Sequence, residues 1–334
     1  MIFMKKVLAI LLAVVFVVFS FAACGGTQPA QSNNGESTTD AAPSASKLRF
    51  VTGGESGTYY AFGSVIAQHA SNNTDTKITA IVGNGSKANV EDLEDKAADL
   101  AFCQSDVMAY AYAGTNLFEA PITCFSTVAA LYTEQVQIVT LDPAIKTVAD
   151  LKGKNVSIGA AGSGVYFNAI DILGVYGLTE NDITPTYQSF GDSADALKDG
   201  KIDAAFIVAG APTTAVTDLS TTKDVCLVSL DEEHIAKLIE ASPYYAECTI
   251  AKDVYGLDED VLTVGVGAVI LANNDVSEDA VYALCADIFD NAENLVENHA
   301  KYGELSLDYA TSITSVPYHS GAVKYFAEKG ITVK

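Results

Sequence analysis

The chain has 334 residues, with 42 Asp or Glu against 19 Lys or Arg and a formal net charge of −23. So acidic a surface excludes nucleic-acid binding, which needs clustered positive charge, and excludes direct adhesion to anionic lipid. Nearly half of the residues are hydrophobic, enough for a large core and two ordinary domains.

The chain opens on a targeting segment. Lys5 and Lys6 precede an uncharged apolar run from Val7 to Ala23, the layout of a secretory signal peptide. Phe21-Ala22-Ala23-Cys24-Gly25-Gly26 resembles a bacterial lipobox, with Phe21 where Leu is usual. Residues 1–23 therefore read as a lipoprotein signal peptide, and Cys24 as the lipidated first residue of the mature chain. Loss of Lys5 and Lys6 leaves 17 basic against 42 acidic residues, a net charge of −25. Residues 24–46 are small and polar, and read as a flexible tether. The five remaining cysteines, Cys103, Cys124, Cys226, Cys248 and Cys285, match no zinc spacing, and most sit in apolar runs. One disulfide, for example Cys226 with Cys248, stays open.

The body alternates strand and helix. Leu48–Thr52 reads as a strand and Tyr59–Ser71 as a helix. Thr76–Val82, Leu100–Cys103 and Phe125–Tyr132 read as further strands, with helices over Ala88–Ala97 and Ser105–Ala113. The series restarts with strands at Val136–Thr140 and Val156–Ile158 and a helix over Val165–Tyr176. A strand near Thr184–Tyr187, a helix over Ser193–Lys198 and a strand over Ala204–Val208 follow. Val264–Leu271 is a long β run, and a long helix is predicted from Asp279 to about His299. Strands separated by helices imply an α/β fold with mostly parallel sheets.

Two signals recur. Ser56-Gly57-Thr58-Tyr59-Tyr60 returns 107 positions later as Ser163-Gly164-Val165-Tyr166-Phe167. Leu93-Glu94-Asp95-Lys96-Ala97-Ala98-Asp99-Leu100-Ala101-Phe102 returns 104 positions later as Leu197-Lys198-Asp199-Gly200-Lys201-Ile202-Asp203-Ala204-Ala205-Phe206. The shared order and register predict two matched lobes. Each Ser-Gly turn lies between a strand and a helix start, where free N–H groups and the helix dipole suit an anion. The two turns therefore predict a small acidic ligand gripped between the lobes.

The residues available for this are neutral. Gly53, Gly54, Gly57, Gly83, Gly85, Gly162, Gly164 and Gly210 allow close backbone approach. Ser56, Thr58, Asn84, Ser86, Gln104, Ser105, Ser163 and Asn168 offer hydrogen bonds, and Tyr59, Tyr60 and Tyr166 offer aromatic walls. Plain helix capping accounts equally well for Ser56 and Ser163, and core or rim packing for the tyrosines. Arg49 is the only arginine and starts its strand, so an acid would be held by amides, hydroxyls and helix dipoles, helped by a rim lysine such as Lys87. No phosphate-binding loop, dinucleotide fingerprint, nucleophile elbow or metal spacing occurs, so no cofactor, metal or catalytic residue is expected.

Several stretches are similar to the TAXI-family solute receptors of TRAP transporters. They are Thr52 to Tyr60, Phe102-Cys103-Gln104-Ser105-Asp106, Thr147 to Lys154, Gly162-Ser163-Gly164, Pro243-Tyr244-Tyr245 and Pro317 to Ala322. Ala161 and Ser320 replace prolines that are frequent in the family. The resemblance implies a non-enzymatic, two-lobed receptor of periplasmic-binding-protein type (class II), anchored outside the cell membrane. It would deliver glutamate, glutamine or a dicarboxylate-like solute to a TRAP permease driven by an ion gradient. Carried over, the pocket would involve Thr58, Tyr59, Asn84, Ser86, Gln104, Ser105, Ser163, Gly164 and the Gly210–Pro212 turn. The site expected from both lines of reasoning adds Gly54, Ser56, Tyr166 and Asn168. Lobe I would take 47–131 plus 265–334 and lobe II 132–264, with Phe125–Tyr132 crossing outward and Val264–Leu271 back. The alternatives are a receptor of an ABC importer of the pyrimidine, sulfonate or nitrate type, a Ser163-dependent hydrolase, and a sensor domain.

Overall fold

The computed structural model describes residues 47–334. The expected signal peptide, the lipidation at Cys24 and the tether all lie outside the described residues. The first half of the fold contains β1 (Lys47–Val51), α1 (Thr58–Asn73), β2 (Lys77–Ile81), α2 (Ser86–Glu94), β3 (Leu100–Gln104) and α3 (Ser105–Ala113). Strand β4 (Phe125–Thr140) leads to β5 (Asn155–Ser157), α4 (Val165–Val175), β6 (Thr184–Thr186), α5 (Phe190–Lys198), β7 (Ala204–Ala209) and α6 (Thr214–Ser220). Then come β8 (Cys226–Leu227), α7 (Glu232–Ala241), β9 (Ala246–Ile250) and β10 (Val261–Asn273). Helices α8 (Glu278–Asp290), α9 (Ala292–Leu295), α10 (Leu307–Ala310) and α11 (Ser320–Glu328) close the chain.

The strand order is β2-β1-β3-β10-β4-β7-β5-β6. Strand β1 lies parallel between β2 and β3, as β5 lies parallel between β6 and β7. The two halves thus repeat one arrangement, as the recurring signals predict. Between them β4 and β10 run antiparallel, and each also pairs with the other's neighbours: β10 with β3, β4 with β7. The expected two-lobed α/β class is the fold observed.

Buried faces follow the alternation of the strands. Phe50 and Phe102 face one apolar cluster, Val51 and Ala101 another on the opposite face. In the second half Ala204 and Phe206 face one cluster, Ala205 and Ile207 the other. Sheets covered by helices on both sides give such near-continuous apolar strands.

The structure explains the second recurring signal. Asp95 and Asp199 are the residues that end α2 and α5. The next residue turns left-handed in both copies, Lys96 at φ 58° and Gly200 at φ 68°. Asp99 Oδ2 then accepts the backbone N–H of Arg49 at 2.8 Å, and Asp203 Oδ2 accepts that of Asn155 at 2.7 Å. Each motif ties the strand after a helix to the start of the half's first strand. Arg49 adds two side-chain bonds to Asp99 and one to the Lys96 carbonyl, so the only arginine serves this corner.

Four expectations change. Phe125–Tyr132 and Val136–Thr140 are one strand, because the polar residues between them continue pairing with β10 and β7. The long helix stops at Asp290, with Asn291 beyond it. Helices α6, α7, α10 and α11 and strands β8 and β9 had no predicted counterpart. Cys103, Cys124, Cys226, Cys248 and Cys285 are free thiols, so Cys226 and Cys248 are not bridged. Asp203→Ala is expected to lower unfolding stability by about 1 kcal/mol through the lost strand tie, read as a lower urea midpoint at unchanged m.

Candidate functional site

A cavity of about 440 Å³ lies where the carboxyl ends of β1, β3 and β7 meet helix starts from both halves. Open α/β sheets bind ligands at such strand ends. Three of the helices, α1, α2 and α4, begin at glycines: Gly57, Gly85 and Gly164. All three glycines line the cavity, and none of these helix starts is capped by a side chain. The N–H groups of the first two residues of each helix make no main-chain bond among the described residues, and the dipoles favour negative charge there.

Of the expected binding residues, Gly54, Ser56, Thr58, Tyr59, Asn84, Ser86, Gln104, Ser163 and Gly164 line the cavity. Ser163 is 7 % exposed, and its Oγ has no hydrogen-bond partner in the protein. Ser86 Oγ accepts the Gln104 N–H at 3.1 Å. Gly164 has no room for a side chain, since a Cβ would fall 1.3 Å from Gln104 Oε1.

The structure does not bring the other expected residues into the lining. Ser105 Oγ accepts the Gly267 N–H from β10, and Tyr166 donates to Glu180. Asn168 is fully buried behind Gln104, which donates to its Oδ1 at 2.8 Å. Gly210 packs against Lys301 and Tyr132, its carbonyl accepting from Thr58, and Pro212 follows a cis bond at the exposed turn beyond it. Lys87 is paired with Glu91.

Sequence reasoning missed the acidic part of the lining. Glu55, Glu134, Asp192 and Asp195 face the cavity, as do Gln188 and Phe190, and among the described residues no lysine or arginine side chain does. The Ser189-x-x-Asp192 cap of α5 marked one of these places. Glu134 is 2 % exposed and accepts the Tyr59 hydroxyl at 2.5 Å. Burial pushes its carboxyl well above the usual carboxylate range, and pushes the Tyr59 phenol upward too.

Main-chain bonds hold the mouth shut. The Ala88 N–H donates to the Gly162 carbonyl at 3.0 Å, and the Ala215 N–H to the Ser56 carbonyl at 3.1 Å. Behind the cavity, Gln104 donates to Asn168, whose Nδ2 lies 2.9 Å from Asp106 Oδ2 and 2.8 Å from the Tyr245 hydroxyl. Tyr245 in turn donates to Asp171. Asp106 is fully buried, its Oδ1 lacks a partner, and burial raises its pKa to about 7.

The histidines are engaged elsewhere in the fold. His69 pairs with Asp287, His234 with Asp231, His299 stacks on Phe62, and His319 caps α11. Among the described residues no histidine lines the cavity. Among the described residues no cluster of metal ligands occurs, and no helix is long and apolar enough to cross a membrane.

Residues 50–330 match the family model described as the NMT1-like family. This chain belongs to the NMT1-like family. Solved structures with the same fold include a protein from Bordetella bronchiseptica RB50, 17 % identical, with 84 % of this chain and 89 % of that one aligned at TM-score 0.51. The periplasmic aliphatic sulphonate binding protein SsuA from Escherichia coli is 19 % identical, over 85 % and 90 %, at 0.46. A putative L-cystine ABC transporter protein from Listeria monocytogenes is 15 % identical, over 81 % and 99 %, at 0.49.

Asp106 makes this family member's stability pH-dependent. Its folded pKa, about 7, lies above the unfolded value of 3.8, so the folded state holds the proton longer. The stabilisation is present below the unfolded value and is lost as pH rises through about 7. Asp106→Asn is expected to shrink the loss of stability between about pH 5 and about pH 8, measured by urea unfolding at both.

Proposed function

We propose that this NMT1-like chain is an extracytoplasmic receptor that encloses a small solute and passes it to a membrane transporter. The carrying observation is the cavity itself. Three uncapped, glycine-started helices from both halves converge on it beside the buried, unpartnered Ser163 hydroxyl. That is a seat for one anionic group, such as a carboxylate. A solute touching both halves favours the shut arrangement, the coupling a capture-and-release receptor needs. The lobe division at 47–131 plus 265–334 and 132–264 belongs to this reading. So does a lipid anchor at Cys24, which would keep the receptor at the outer face of the membrane.

The expectation of a dicarboxylate does not suit the lining. A second carboxylate would meet Glu55, Glu134, Asp192 or Asp195 with no formal positive side chain to offset it. For the transporter, an ABC importer is the class named for the Listeria neighbour. A TRAP permease rests on the sequence motifs alone. Uptake that survives ATP depletion but stops when the ion gradient is collapsed identifies a TRAP partner, and the converse an ABC importer.

The receptor reading predicts ligand-dependent thermal stabilisation. A bound solute at a hundred times its Kd adds about 2.7 kcal/mol, or roughly 5 °C or more for a domain pair of this size. Gly164→Ala, which forces Gln104 out of place, is expected to abolish the shift while the chain stays folded. Melting curves that stay flat across a broad panel of amino acids and organic acids would overturn the reading.

A further inference from the structure

Glu134 is the one buried carboxyl in the cavity wall, and the anion seat leaves it unused. It sits on β4 at the handover between partners, since Gln135 pairs with both Gly265 of β10 and Ala209 of β7. Its Oε2 accepts from Tyr59, and its Oε1 makes no hydrogen bond within the described residues. The charged and titratable groups around it are Tyr59 from α1, Cys103 from β3, Asp106 from α3, Tyr132 from β4 itself, Tyr309 from α10 and Lys301 from the C-terminal part. Lys301 is already spent on the Ala211 carbonyl and Glu304, and makes no ion pair with Glu134. A buried carboxyl without a cation is costly to ionise, and an apolar residue would pack there more cheaply. Oε1 is thus left for a guest in the cavity that Glu134 lines.

We infer that Glu134 seats a protonated nitrogen of the solute, in the same cavity as the anion seat at Ser163 and Gly164. The inference rests on the receptor reading and names its solute class: compounds carrying both a carboxylate or similar anion and an ammonium group. Asp192 and Asp195 at the start of α5 extend the same negative wall. Binding has a defined proton balance. The solute ammonium donates to Oε1 as an ion pair, and the proton that the empty site holds on Glu134 passes to the buffer. Dicarboxylic acids without nitrogen face an acid wall and are rejected.

Matched pairs test this: glutamate with glutarate, and 4-aminobutyrate with butyrate, measured by calorimetry in two buffers of different ionisation heat. In the wild type the amino member of a binding pair is expected to bind at least roughly tenfold tighter, and to release protons within a pH series from about 5 to about 8. Glu134→Gln is expected to lose that preference and the proton release. It should melt no lower than wild type at about pH 8, because the amide removes the cost of ionising a buried carboxyl. Should that variant fail to fold, the wild-type proton count still decides. Equal binding of both members without proton release overturns the inference and leaves the receptor standing. Equal preference in wild type and Glu134→Gln does the same. Binding of no member of either pair or of the wider panel brings down the receptor reading and the inference with it.

Discussion

The antiparallel pairing of β4 with β10 is the constraint on which the rest of the structure depends. It runs from Phe125 opposite Asn273 to Gln135 opposite Gly265. Each strand then continues into the sheet of the other half, β4 beside β7 and β10 beside β3. Because the parallel strands of the two halves are locked to this pair, the carboxyl ends of β1, β3 and β7 must face a common space. Local register shifts along β10 bend the pair without breaking it. The cavity is therefore a product of the topology, and the residue at the handover, Glu134, lies in its wall.

A strongly acidic chain has nevertheless built a place for an anion. It does so with main chain. Glycine at three helix starts removes both the side-chain cap and the bulk that would cover the N–H groups. The chain's single guanidinium is occupied far off, tying Asp99 and Lys96 to β1. Negative side chains share the wall with these starts, Glu55 two residues before Gly57 and Glu134 bonded to Tyr59, so the space offers both backbone donors and carboxyls. This combination distinguishes it from a general anion pocket.

The sequence carried the fold in its repeats more than in its periodicity. The Asp99 and Asp203 ties show why: a turn that must reach back to the first strand needs the same residues in each half. The Ser-Gly turns were readable for the same reason, as both begin helices at the cavity. Glu134 was hidden because Thr133-Glu134-Gln135 reads as a polar break between two strands, whereas it is buried mid-strand. Local propensity loses there to long-range pairing. Ser105 and Asn168 were placed near the site by chain position, yet their polar groups are consumed by Gly267, Gln104 and Asp106. Only tertiary contacts decide which of two adjacent hydroxyls or amides remains free. Helix α7 carried a signal that went unread, with Asp231 as its cap and Ile235 and Leu238 buried on one face.

The two bonds across the mouth, Ala88 to Gly162 and Ala215 to Ser56, join backbone atoms alone. Any residue except proline at the donor positions can make them. Closing is thus written into chain geometry, while discrimination is written into a few side chains behind it. On the proposed receptor reading, exchange of Glu134, Asp192 or Gln188 would alter the cargo and leave these two bonds intact. Retuning of this kind requires no second, compensating change at the entrance, which makes the scaffold easy to repurpose.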